Sequence, residues 1–110
     1  MAVLSVQKIV KAGLTPSLAA AAGGGDSWQN TGREFLEVAN GGGGSINVTI
    51  AAQAGACATY GVTNSAHDIV VAVGAGVTKR IGPIDPIAYN DANGRAQITY
   101  SGVTSVTVGV

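Results

Sequence analysis

Ile46-Asn47-Val48-Thr49-Ile50 alternates branched apolar and polar side chains along an uninterrupted run. In an extended chain successive side chains point to opposite faces, so Ile46, Val48 and Ile50 share one face and Asn47 and Thr49 the other. This is the pattern of a strand with one face in a core and one toward solvent. Immediately before it, Asn40 and Gly41 to Gly44 supply residues that tolerate positive φ, as a turn between strands requires. Upstream of that turn, Glu34-Phe35-Leu36-Glu37-Val38-Ala39 has mixed faces and reads as a strand with one end exposed.

The same period extends toward the C-terminus. Asp68-Ile69-Val70-Val71-Ala72-Val73 and Val77-Thr78-Lys79-Arg80-Ile81 flank the breaker Gly74-Ala75-Gly76, and are expected to form a hairpin or a strand and its neighbour. Gly82-Pro83-Ile84-Asp85-Pro86 is a turn or a sheet edge, because each proline removes a ladder donor. Asn93-Gly94 is a strong turn signal. Arg95 to Tyr100 and Thr104 to Val110 then close the chain as two strands joined at Ser101-Gly102-Val103, with Val106, Val108 and Val110 on one face of the last.

Toward the N-terminus the run Val3 to Val10 predicts a first strand ending near Lys11 to Gly13. Over residues 14–25, Thr15-Pro16 starts a short helix through Leu18 and the four alanines, or the segment is a loop that packs its alanines against a sheet. Residues 51–67 lack a sustained period and read as a long connection, within which Thr59-Tyr60-Gly61-Val62 makes a short strand. Seven or eight short strands, with turn signals every 8–12 residues or so, predict an all-β fold: a small antiparallel β-sandwich, jelly-roll-like or Ig-like, in a single domain over residues 1–110.

Composition narrows the function. The 110 residues are 46% hydrophobic but only 11% charged, less than half the roughly 25% usual in soluble domains. Glycine occurs 17 times and the aromatic fraction is 5%, so packing relies on small side chains and the surface is close to neutral. Six cations balance six acids, with no basic run beyond Lys8/Lys11 and Lys79/Arg80, which argues against binding driven by phosphate neutralisation. No segment has the length and apolarity of a signal peptide or a membrane span, so the chain is expected to be cytosolic when made, with neither nucleic acid nor membrane as partner. A single cysteine, Cys57, permits no intrachain disulfide.

Candidate chemistry is sparse. His67-Asp68 with Ser65 nearby holds the residue types of a base, an orienting acid and a nucleophile. Adjacent residues of a strand face opposite ways, however, so the polar start of a strand is the better reading. Asp91-Ala92-Asn93-Gly94 resembles the first half of a calcium loop, but the twelfth position from Asp91 is Gly102 rather than a bidentate acid, which favours a hairpin turn. Cys57 and His67 are two soft ligands, short of the four of a structural zinc site. Neither Gly23 to Gly25 nor Gly41 to Gly44 is followed by Lys-Ser or Lys-Thr. No catalytic, cofactor-binding or metal-binding residue is therefore expected. The aromatics Trp28, Phe35, Tyr60, Tyr89 and Tyr100 are potential contact anchors, and Trp28, Arg33, Tyr60 and Tyr89 are the candidate interface residues.

Gly24-Gly25-Asp26-Ser27-Trp28, Asn30-Thr31-Gly32-Arg33 and Phe35-Leu36-Glu37-Val38-Ala39-Asn40-Gly41-Gly42, followed by Ile81-Gly82-Pro83, Tyr89-Asn90-Asp91-Ala92-Asn93-Gly94 and the run Thr99 to Val108, resemble small virion proteins encoded among the head genes of tailed bacteriophages and prophages. The resemblance spans nearly the whole chain and carries over no catalytic residue. It implies a capsid decoration, or cement, protein on the outer surface of an expanded shell, bridging neighbouring major capsid protein subunits, often as a homo-oligomer with a trimer favoured. A tail-tube, head-completion or fibre-attachment protein is the next expectation. A carbohydrate-binding module, with Trp28 and Tyr60 forming a flat aromatic platform, is a third.

Overall fold

The structure is a computed structural model and describes residues 2–53 and 68–110. Among the described residues nine strands follow in chain order: β1 (Ala2–Leu4), β2 (Ala19–Ala20), β3 (Asp26–Gln29), β4 (Leu36–Asn40), β5 (Ile46–Ile50), β6 (Ile69–Val73), β7 (Thr78–Ile81), β8 (Arg95–Tyr100) and β9 (Val106–Gly109). Among the described residues one short helix, α1 (Pro86–Tyr89), lies between β7 and β8.

The pairing follows a simple rule. β2 pairs with β9, β3 with β8, β4 with β7 and β5 with β6, all antiparallel. The chain is thus a long two-stranded ribbon whose closed end is the β5–β6 pair. Folded on itself, the ribbon brings β9 against β4 and β8 against β5, again antiparallel. Two sheets result, β2-β9-β4-β7 and β3-β8-β5-β6, and β1 adds in parallel outside β3 to make the second sheet five-stranded. That strand order makes the sandwich a jelly roll rather than an immunoglobulin-type arrangement.

The alternation in β5 sets the inner face. Val48 and Ile50 are fully buried, and their cross-strand partners Tyr100 and Ile98 lie on the same side. Trp28, Val73, Ala96 and Ile98 complete that layer, and Leu36, Val38, Ile81, Val106 and Val108 face it from the other sheet. Each of the buried valine, leucine and isoleucine side chains contributes about 1.5–3 kcal/mol by leaving water.

Several expectations are corrected. Residues 69–73 and 78–81 do not pair: β6 lies beside β5 and β7 beside β4, so the Gly74–Gly76 turn carries the chain from one sheet to the other. Asn40 enforces the crossing. Its N–H donates to Val77 O at 3.0 Å, its carbonyl accepts from Gly76 N at 2.7 Å, and its side-chain Nδ2 donates to Val73 O at 3.0 Å. Likewise β8 and β9 belong to different sheets.

The first strand stops at Leu4, where its partner β3 reaches Trp28, rather than running on to Val10. The alanines form no helix. Ala19 and Ala20 pair with Val108 and Thr107, so the segment packs onto a sheet. β3 was not expected, because Asp26 and Ser27 are poor strand formers. It exists because β8 offers a full ladder from Arg95 to Ile98. With β2 and β3 the described residues hold nine strands, above the expected seven or eight. The short strand expected at Thr59 to Val62 falls outside the described residues.

Candidate interaction surface

Most of the polar residues in the resemblance motifs are used by the fold itself. Asn30 is buried, and its Nδ2 donates to Ile84 O at 3.1 Å and to Asn90 Oδ1 at 2.8 Å. Asn90 Nδ2 returns a bond to Asn30 O at 2.8 Å. This reciprocal pair joins the end of β3 to the end of α1. Asp91 closes the turn before β8: its Oδ1 accepts from Asn93 N at 2.8 Å and Arg95 N at 3.1 Å, and its Oδ2 accepts from Gln97 Nε2. The Arg95 amide, foremost among these donors, holds the Asp91 carboxyl below its ordinary range. A carboxylate so engaged is a turn-former, as the hairpin reading requires. Gly94 completes the turn at a φ of 75°.

The four candidate interface residues separate. Trp28 is completely buried between the sheets, which corrects its reading as an exposed anchor and removes it from any carbohydrate platform. A tryptophan at a core-facing position of β3 supplies the large apolar volume that a core of valines and alanines otherwise lacks. Tyr89 is also buried, in the last turn of α1, so it too is corrected. Tyr60 lies outside the described residues, as do Cys57, Ser65 and His67. Asp68 is described, and its Oδ1 accepts from Ala52 N at 2.8 Å. Among the described three Arg33 alone is exposed.

Around Arg33 lies a surface that the sequence reading missed. The chain between Gln7 and Ser17 forms a closed loop, because the Gln7 side chain donates to Ser17 O at 2.8 Å and accepts from Ser17 N at 2.7 Å. Gln7 N also donates to Val110 O at 2.9 Å, which fastens the loop to the end of β9. Compact loops with joined ends present their tips as units. Gly109 makes the approach possible, since a Cβ there would lie 2.7 Å from Leu18 Cδ2 and 2.9 Å from Ser17 O.

Between this loop and the outer face of β4 runs a groove of about 750 Å³, lined by Val6, Ile9, Leu14 and Phe35 with Lys8 and Arg33. Ile9 is 70% exposed, and Val6, Val10, Leu14 and Phe35 also present apolar surface. On the groove floor Glu37 is buried and bonded to Arg80 at 2.8 Å, and Arg80 lies 5.8 Å from the centre of the Phe35 ring. Burial acts to raise the Glu34 carboxyl, but bonds from the Thr31 hydroxyl and N–H outweigh it and hold the group below its usual range. Both acids of the groove are therefore engaged. Among the described residues Lys8, Lys11 and Arg33 have no ion pair. The surface is apolar with a cationic rim. A first-strand reading of Val3 to Val10 hid it, although Val6, Ile9 and Val10 do not fit a single period-two face.

No helix is long and apolar enough to cross a membrane among the described residues. Comparison with protein-family models, with curated proteins and with solved structures finds no match to this chain.

Proposed function

We propose that the chain is a structural virion protein, a capsid decoration or cement protein that binds the outer surface of a tailed-phage head and stabilises its shell. The observation that carries the reading is the fastened N-terminal loop, whose tip holds Ile9 and Val10 in solvent beside Lys8 and Lys11. Exposed aliphatic side chains on a domain with so little charge favour a polypeptide partner, against which few unpaired charges have to be desolvated. Jelly rolls serve in capsids and in lectins alike, so the fold itself carries no vote. The resemblance motifs and the loop together favour the capsid. Repetition by symmetry then lets each contact be modest while the lattice is strong.

Purified chain added to undecorated shells and imaged by electron microscopy tests the reading. Ordered density at symmetry-related positions on the outer surface is expected. The doubly substituted Ile9→Glu, Val10→Glu chain should bind shells with affinity lowered about tenfold or more, the effect of removing an anchor of 1.4 kcal/mol or so. Shells that remain bare at saturating protein would remove the capsid as partner.

A further inference from the structure

We propose that the groove beneath the N-terminal loop receives the Asp85-Pro86-Ile87 corner of a second copy of this chain. Ile87 is 75% exposed, more than any other large apolar side chain among the described residues. It projects from the first turn of α1, a corner held rigid by Asp85, whose Oδ1 accepts from Ile87 N at 2.9 Å. A rigid apolar knob loses little conformational entropy on docking. Asp85 is itself exposed, so the knob carries a carboxylate at its base.

The groove offers the complement on both counts. Val6, Leu14 and Phe35 supply apolar walls, and its volume of about 750 Å³ accommodates an isoleucine with its flanking turn. Lys8 and Arg33 stand at its rim without ion pairs, while Glu34 and Glu37 are already bonded to Thr31 and Arg80. Bonds from Thr31 leave Glu34 charged, so the three cations Lys8, Arg33 and Arg80 against the two acids Glu34 and Glu37 give the groove a net charge of +1, positive where the knob is negative, and it is apolar where the knob is apolar. Knob and groove are neighbours on one protomer, because Gly32, next to Arg33, approaches the Pro86 ring so closely that a Cβ would lie 3.0 Å from its Cδ. Each copy can then give a knob and receive one, and closed symmetry satisfies both in every subunit.

This inference gives the expected homo-oligomer a defined contact, and it does not depend on the shell. Sedimentation velocity of the full chain, without shells, over a dilution series is the test. A species of at least twice the 10.8 kDa protomer mass is expected. Ile87→Glu and Arg33→Glu should each weaken self-association by about tenfold or more, with circular dichroism unchanged because both sites are exposed. Val70→Glu, on an exposed position of β6, should leave the association intact. A monomer at every concentration overturns the proposal, and so does an oligomer that Ile87→Glu leaves intact. A monomer that still decorates shells would leave the capsid reading standing, so the two failures are distinguishable.

Discussion

Asn40 shows how much one side chain can decide. It ends β4, is buried, and its amide donates to Gly44 O at 2.8 Å and Val73 O at 3.0 Å while accepting from Gly42 N at 3.0 Å. One residue thereby fixes the glycine turn after β4 and ties that strand to β6 in the opposite sheet. Asn40→Ala would leave the buried Val73 carbonyl without this partner, and an unfolding midpoint in urea should report a loss of about 2–3 kcal/mol. From sequence, Asn40 before four glycines is readable as a turn residue. Its reach to Val73 depends on which sheet each strand joins, so it is not.

Tyr100 makes a second prediction at this scale. Its hydroxyl donates to the buried Asp26 carboxylate at 2.8 Å. Burial first, then the bond to Asp26 and its negative charge, push the phenol well above its ordinary value. The folded chain keeps a proton that the unfolded chain releases above about pH 10, so this contribution is complete below that pH and is lost as pH rises beyond it. Urea midpoints should be flat from about pH 7 to pH 9 and fall toward about pH 11, and Tyr100→Phe should blunt the fall. A midpoint that holds steady through the alkaline range would contradict the coupling.

At the level of elements, legibility followed the side-chain period. β5, β8 and β9 were readable because their alternation puts apolar side chains on one face, valines and isoleucines in β5 and β9 and Ala96, Ile98 and Tyr100 in β8. β2 and β3 were not, because Ala-Ala and Asp-Ser acquire extended structure only from ladders offered by β9 and β8. α1 has a readable start, Asp85 as cap and Pro86 in the first turn, but at four residues it is too short for a helical period. The N-terminal loop was hidden for the opposite reason: branched residues suggest a strand, while the Gln7 side chain diverts the chain into a closed loop. If that amide is the clasp, Gln7→Ala should free the tip. Trypsin should cleave at Lys8 and Lys11 several-fold faster, while the melting temperature changes by no more than about 2 °C, because the loop opens locally. Unchanged cleavage would mean that packing against Gly109 holds the loop by itself.

For the whole molecule, the ribbon rule makes the two chain ends unequal. β9 lies between β2 and β4, and Val106, Val108 and Val110 are all buried. At about 1.5–3 kcal/mol each, the three valines represent much of the 5–15 kcal/mol or so by which a domain of this kind is stable. Removing residues 106–110 also leaves β2 without a partner and strips one edge of β4 of its ladder. β1 is different: it sits outside β3, its Val3 is exposed, and the eight-stranded jelly roll is complete without it. A chain lacking residues 1–4 should therefore melt cooperatively with dispersed amide resonances, at a temperature lowered by a few degrees, about 4–8 °C for each kcal/mol lost. A chain lacking residues 106–110 should show neither cooperative melting nor dispersion. Were the C-terminal deletion to fold as well as the N-terminal one, the sheets would be held by something other than closure of the ribbon through β9. The pairings of β9 with β2 and β4 would then be incidental to stability.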